Sequence, residues 1–298
     1  MRCQAATMLL CCFASTGMVH AQKTEEDAAN WQKAAGGAMT FEVASVRQDK
    51  GPFKPPSFSI SFDDSFEDPG RRFHSDFPLM AYIEFTYKIL LTSAERSEIL
   101  AKLPEWVKTD RFAIEAVAPL HATKDQYRLM MQALLADRFG LKLHFEKKET
   151  PVLAMTLVKP GKPGPHLTPH ELGQACDEKP KPETYPSECY GYSGKPGKDG
   201  MFVFGSRAAS MDRIGDFFAT LGSSEITRRV VDRTGLTGLW DFTIEIVPPW
   251  QKASEASASS AEPALLEAIH SQLGINLKPE RAMVSLPVVD HVEPLSEN

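Results

Sequence analysis

Little in this 298-residue sequence favours a nucleic-acid partner, a membrane span or a familiar catalytic centre. Lys and Arg number 33 against 39 Asp and Glu, a formal net charge of −6. Phosphate binding needs a concentrated basic footprint that such a balance does not supply. The longest apolar run is about half the roughly 20 residues of a transmembrane helix. Gly-x-Ser-x-Gly, His-Glu-x-x-His, a phosphate loop and a dinucleotide fingerprint are all missing, so no cofactor is expected. Cysteine is scarce, with five in all. What remains is an ordinary globular composition, 42% hydrophobic and 24% charged, which excludes a wholly disordered chain and allows a sizeable core.

Residues 1–21 read as a secretory signal peptide. Arg2 supplies the positive start, Ala5 to Ala14 the apolar stretch, and Val19-His20-Ala21 the small residues that signal peptidase needs before Gln22. Cys11 follows Leu9-Leu10, but a lipid-modified cysteine wants a small residue before it, and Leu10 is large. An exported protein, periplasmic or extracellular, with no transmembrane segment after cleavage, is the expectation. Cys3, Cys11 and Cys12 leave with the signal. Cys176 and Cys189 remain, and an even number in an oxidising compartment reads as one disulfide. A metal pair is the competing reading, but no Cys-x-x-Cys spacing supports it, and no metal is expected.

Composition divides the rest. Residues 22–38 are polar and Ala-rich, expected to be a flexible arm. Residues 159–200 hold eight Pro and seven Gly, a linker carrying the disulfide, in which Lys159 to Pro165 is a spacer with little to bury. Tyr185, Tyr190 and Tyr192 flank Cys189 and are expected to pack over it. Residues 251–262 are mostly Ser, Ala and Glu and read as a loop. Between these stretches lie two units, 39–158 and 201–298.

The two units repeat one another. Phe112-Ala113-Ile114-Glu115-Ala116-Val117 matches Phe242-Thr243-Ile244-Glu245-Ile246-Val247. Phe139-Gly140-Leu141-Lys142-Leu143 matches Leu273-Gly274-Ile275-Asn276-Leu277. Phe77, Met80 and Ile83 align with Met211, Ile214 and Phe217. Three blocks in one order, at nearly one offset, suggest a tandem duplication.

Each unit opens with a strand and then a helix: about 77–90 after Ser75-Asp76, and from Ser210 to near Gly222. An alternating Phe-x-Ile-Glu-x-Val strand follows. A second helix comes next, with Thr123 and Gln126 as a capping box in the first unit and Pro263 opening the second. Gly140 and Gly274 stand where a helix end wants a left-handed residue. Two strands close each unit, ending with Val152–Val158 and Val284–Val289. This strand-helix-strand-helix-strand-strand pattern, twice, predicts an α+β fold with mainly antiparallel sheets. Phe41 to Val46 adds a strand before the first unit, and Glu115 and Glu245 are expected to face solvent.

The residues that could carry chemistry cluster late in the chain. Asp232 and Asp241 bracket a Gly-bearing loop, with Arg233 beside the first. As a carboxylate pair they could do acid–base work if burial separated their acidities. Asp-Thr-Gly of the aspartic proteases is interrupted by Arg233, and the competing reading is a turn held by Asp and Thr side chains. Asp290 and His291 are a second candidate, although neighbours on a strand point to opposite faces. His166 and His170 are four apart but sit among Pro165 and Pro169, off any helix that would align them as ligands.

Phe41 to Arg47, Leu103 to Phe112, Leu134 to His144, Val231 to Gly238, Gln272 to Leu277 and Val288 to Pro294 together resemble a large paralogous family of exported acidobacterial proteins of unknown function. The resemblance covers nearly the whole chain after the signal. Ala113 departs from it, since the pattern leads us to expect Asp there. The resemblance implies export and supplies no activity or catalytic residues. Taken with the repeat, which preserves core positions more than polar ones, it points to a non-enzymatic envelope or extracytoplasmic binding or scaffold module. Its partner would be an unknown protein or small ligand of the envelope. The alternative is an exported hydrolase using the acidic residues of the 232–241 loop and His291.

Overall fold

The structure, a computed structural model, describes residues 25–170, 176, 184–221, 226–247 and 265–295. The expected signal peptide, the Ser/Ala loop at 251–262, Gly222 and Pro263 lie outside the described residues. The chain is α+β, its sheets mainly antiparallel.

The first half runs α1 (Glu25–Ala34), β1 (Val43–Asp49), β2 (Arg72–Pro78), α2 (Leu79–Thr86), α3 (Ser93–Leu100), α4 (Trp106–Thr109), β3 (Arg111–Val117), α5 (Lys124–Phe139) and β4 (Lys142–Leu157). The second runs β5 (Leu167–Pro169), β6 (Ser193–Pro196), β7 (Phe202–Ala209), α6 (Met211–Thr220), β8 (Val230–Asp232), β9 (Trp240–Ile246), α7 (Leu265–Leu273) and β10 (Ile275–His291). One sheet has the order β1-β3-β2, another β5-β9-β7-β6. With α3 and α4 set aside in the first half and β8 in the second, the two halves share the order strand-helix-strand-helix-strand, as β2-α2-β3-α5-β4 and β7-α6-β9-α7-β10. The first core gathers Phe73, Ile83, Phe112, Ile114, Met131 and Phe139; the second gathers Ile214, Phe218, Phe242, Ile244, Ile269 and Leu273.

Local chemistry explains the helix ends. Thr123 and Gln126 form the expected capping box on α5, which closes at Gly140 with φ of 56°. Gly274 ends α7 with φ of 67°. Ser210 caps α6 by accepting from the Arg213 amide. The start of α2 differs from expectation. Ser75 and Asp76 are buried strand residues rather than caps, and Pro78 is the N-cap. The cause is Tyr82, whose hydroxyl accepts from the Phe77 amide at 3.0 Å and donates to the Phe112 carbonyl at 2.7 Å. That bond holds β2 on β3 through residue 78.

The paired closing strands of each unit are also corrected. Each pair is one long strand, and β4 and β10 run antiparallel from Ile275↔Leu157 to His291↔Lys142. Polar residues 146–150 look like a break in the sequence. They stay in the ladder because β10 pairs with each of them in register and takes up the backbone groups that point toward it, while Lys148 pairs outward with Glu98 at 2.7 Å and Glu149 with Arg281 at 3.1 Å. The two halves therefore share a sheet, β10-β4-β8, in which β8 joins β4 in parallel.

Two segments are more structured than composition implies. The amino-terminal arm contains α1, whose Trp31 ring lies 4.9 Å from the Lys88 ammonium. The Pro/Gly-rich linker contains β5 and β6, and Leu167 within it is 1% exposed in the second core.

Candidate functional site

The structure does not bring the predicted acids and histidine into one cleft. Asp232 ends β8, where its carboxylate accepts from the Thr234 amide at 2.8 Å, and the Thr234 hydroxyl accepts from the Leu236 amide at 3.1 Å. That is the turn reading. Arg233 pairs with Glu280 at 3.2 Å. Asp290 falls at the irregular register between Val289 and His291 and bonds His144 Nδ1 at 2.9 Å. His291 turns to Glu293, Nε2 to Oε1 at 2.7 Å. Glu115 is exposed as expected and pairs with Arg47.

Asp241 alone enters a compact constellation. It follows Trp240 at the start of β9, and its Oδ1 lies 2.7 Å from His170 Nδ1 and accepts from the Ala208 amide at 2.9 Å. His170 follows β5, its backbone fixed by donation to the Leu239 carbonyl at 2.9 Å. Ala208 has φ of 55°, a left-handed conformation uncommon outside glycine. It sits where the β7–β9 register shifts between Ser206 and Ala209, a bulge that aims its amide at Asp241. Beyond the imidazole, Cys176 Sγ lies 3.8 Å from His170 Nε2.

Cys176 forms the expected disulfide with Cys189, with Cα atoms 5.7 Å apart. The tyrosines do not gather over it. Tyr185 donates to the Val203 carbonyl and Tyr192 to the Arg213 carbonyl, while Tyr190 is exposed. His170 was legible only as half of an unpromising His166/His170 pair. Its real partner is 71 positions away, and a three-residue strand between prolines gives no periodic signal.

A second cluster is larger and electrostatic. Asp64, in the loop before β2, meets Lys88 and Arg128 each at 2.9 Å and Arg213 of α6 at 3.6 Å. Burial favours its neutral form, but Arg213, Lys88 and Arg128 outweigh that and hold the carboxyl far below the usual range. Lys124 beside it bonds Asp63 at 3.2 Å and Ser61 at 2.9 Å. Burial brings its ammonium down to about 8, against the opposing pull of Asp63. Every cation here already faces a carboxylate, so the cluster is built to bind chain to chain.

Fold and site together define an α+β protein of two antiparallel sheets and a third, β10-β4-β8, that the two halves share, with a disulfide beside a His–Asp pair. The chain belongs to a family described as proteins of unknown function (DUF3738), whose model matches residues 80–292. No curated protein and no solved structure matches it.

Proposed function

We propose that this protein works outside the cytoplasm as a binding or scaffold module of the cell envelope rather than as a hydrolase, after removal of residues 1–21. The observation that carries the reading is the way charged side chains fasten the two halves together. Arg229 bonds Glu95 at 3.0 Å and the Leu90 carbonyl at 2.7 Å, and Asp64 forms an ion pair with Arg213 at 3.6 Å across the same divide. Asp232, Arg233, Asp290 and His291 are likewise engaged in turns and pairs that hold shape. A disulfide suits an oxidising compartment. The exported, acidobacterial and paralogous character rests on the motif resemblance, and a tandem duplication on the matching order of elements. The partner is a protein or small ligand of the envelope.

Two measurements test this. Expression of the full chain in a Gram-negative host, with fractionation and amino-terminal sequencing, is expected to yield an extracytoplasmic chain beginning at Gln22. A chain kept in the cytoplasm with residues 1–21 intact overturns export. Asp232→Ala is expected to lower the melting temperature by removing the carboxylate that accepts from the Thr234 amide. Unchanged melting together with loss of a detected turnover overturns the scaffold reading in favour of a hydrolase.

A further inference from the structure

The fold does not require the His–Asp pair. In the first half the same strand position is Arg111, whose guanidinium meets buried Asp76 of β2 at 3.3 Å. In the second half the ion pair is gone. Asp241 instead takes a backbone amide from a left-handed Ala208 and an imidazole from β5. A backbone departure of this kind persists only where its surroundings fix it, and such departures cluster at working sites.

The arrangement gives the imidazole a defined orientation. Nδ1–H donates to the Asp241 carboxylate, which leaves Nε2 facing the Cys176 sulfur. The His170 and Asp241 side chains are mostly buried, whereas Cys176 and Cys189 are both partly exposed. Cys189 also lies against β7, bridged to Arg207. Arg207 is a buried cation that donates to the Ser187 carbonyl at 3.3 Å, and its Nε has no hydrogen-bond partner among the described residues. Cys176 Sγ thus has a protonatable neighbour in His170, the setting that stabilises a thiolate and speeds exchange.

We propose that Cys176–Cys189 is a thiol–disulfide exchange site whose substrate is an exposed dithiol of a partner protein, with His170 as proton donor and Asp241 as the residue that positions it. A partner thiolate attacks Cys189 Sγ. The Cys176–Cys189 bond breaks and its electron pair goes to Cys176 Sγ, which takes the proton from doubly protonated His170 at Nε2. The partner's second thiolate then attacks its own sulfur in the mixed disulfide and expels the Cys189 thiolate. The partner is oxidised to a disulfide and this protein is reduced to a dithiol, two electrons in all. In reverse, neutral His170 takes the Cys176 thiol proton. This goes beyond the scaffold reading and does not depend on it.

Dithiothreitol, a small dithiol, is the probe, used on the folded full chain. In the reduced parent protein, Cys176 is expected to react with iodoacetamide about tenfold faster than Cys189, read by mass spectrometry of the labelled peptides. Equal or slower labelling of Cys176 overturns the proposal without any variant. His170→Gln and Asp241→Asn are expected to slow native-state reduction by dithiothreitol about tenfold. They should also erase the Cys176 labelling advantage while leaving the Cys189 rate unchanged. A fold-supporting pair would change melting temperature but not the ratio of the two labelling rates. Both variants retaining the parent ratio overturns the assignment of His170 and Asp241.

Discussion

Arg128 of α5 has no solvent exposure, yet its guanidinium lies 2.9 Å from Asp64 in the loop before β2. It also bonds Asp125 at 2.5 Å, the Ser61 carbonyl at 3.2 Å and the Asp63 carbonyl. One side chain therefore satisfies two carboxylates and a stretch of otherwise unpaired backbone. Burying a guanidinium is expensive, and partners on both terminal nitrogens offset that cost, although Nε has none among the described residues. Arg128→Met is expected to destabilise the fold by about 1–3 kcal/mol, because the Ser61 and Asp63 carbonyls lose their donor while Asp64 and Asp125 keep Lys88. Equilibrium urea unfolding measures it, and a loss under 1 kcal/mol would show the loop docked by other means.

Asp64 predicts the acid limb of stability. Its carboxyl is depressed in the folded state, so its contribution is present above the unfolded value near 3.8 and disappears as pH falls below it. Asp64→Asn should leave a chain whose urea midpoint is lower at pH 7 and less sensitive to pH between about 4 and 2. A parent and variant that lose stability in parallel over that range would count against the cluster.

Glu84 works in the opposite sense. Burial on α2 raises its carboxyl to about 7, despite Arg96 at 2.6 Å. A group raised on folding stabilises below its unfolded value, near 4.5, and the gain is lost as pH climbs through about 7. Glu84→Gln should flatten the decline in urea midpoint between pH 5 and pH 8, and match or exceed the parent at pH 8. A parent whose stability rises steadily across that interval would contradict this.

Asp290 and His144 face each other across the ribbon. Hydrogen bonds donated to Asp290 and then to Glu146 raise the imidazole above its usual 6.5. Asp290→Asn is expected to bring the His144 titration midpoint, followed by NMR, back toward that value. The change in overall stability should be small, because the pair is exposed. The sign for the parent is that this contribution is complete below about 6.5 and fades above it.

The apolar stripes were legible because they obey local periods: the alternation of β9, the Thr123/Gln126 cap and the glycines at 140 and 274 are all written within a few residues. Cys176–Cys189 followed from counting. The site was less legible. Asp241 was singled out, but with Asp232, which lies in another sheet. The Asp64 cluster draws its cations from Lys88, Arg128 and Arg213, and no spacing in the sequence marks them as neighbours. The long ribbon was hidden for a related reason. Polar residues near 148 separate two short strands when their partner strand, more than 130 positions later, is not in view.

Gly164 gives the sharpest contrast between composition and structure. Among Lys159 to Pro165 it reads as part of a spacer, where Ala should be harmless or slightly stabilising by restricting the unfolded chain. In the structure its amide donates to the Leu273 carbonyl at 2.8 Å, and the next bond, from His166 to Gln272, is 3.0 Å. The segment lies flat on the end of α7. A Cβ at 164 would stand 2.5 Å from the Gln272 oxygen, the Gly274 nitrogen and the Leu273 carbonyl carbon, all backbone atoms. Neither side can rotate away, so the strands and helix end must separate. Gly164→Ala is expected to cost about 1–3 kcal/mol, the range of overpacked sites. Gly161→Ala meets no neighbouring atom within 4 Å and carries only the strain of φ 69°, about 1–2 kcal/mol for a left-handed L-residue. The decisive readout is the labelling of Cys176. If the segment positions His170 through this docking, Gly164→Ala should lower the Cys176 iodoacetamide rate and Gly161→Ala should not. Equal behaviour of the two variants would mean that the contact with α7 supports the core and leaves the disulfide site untouched.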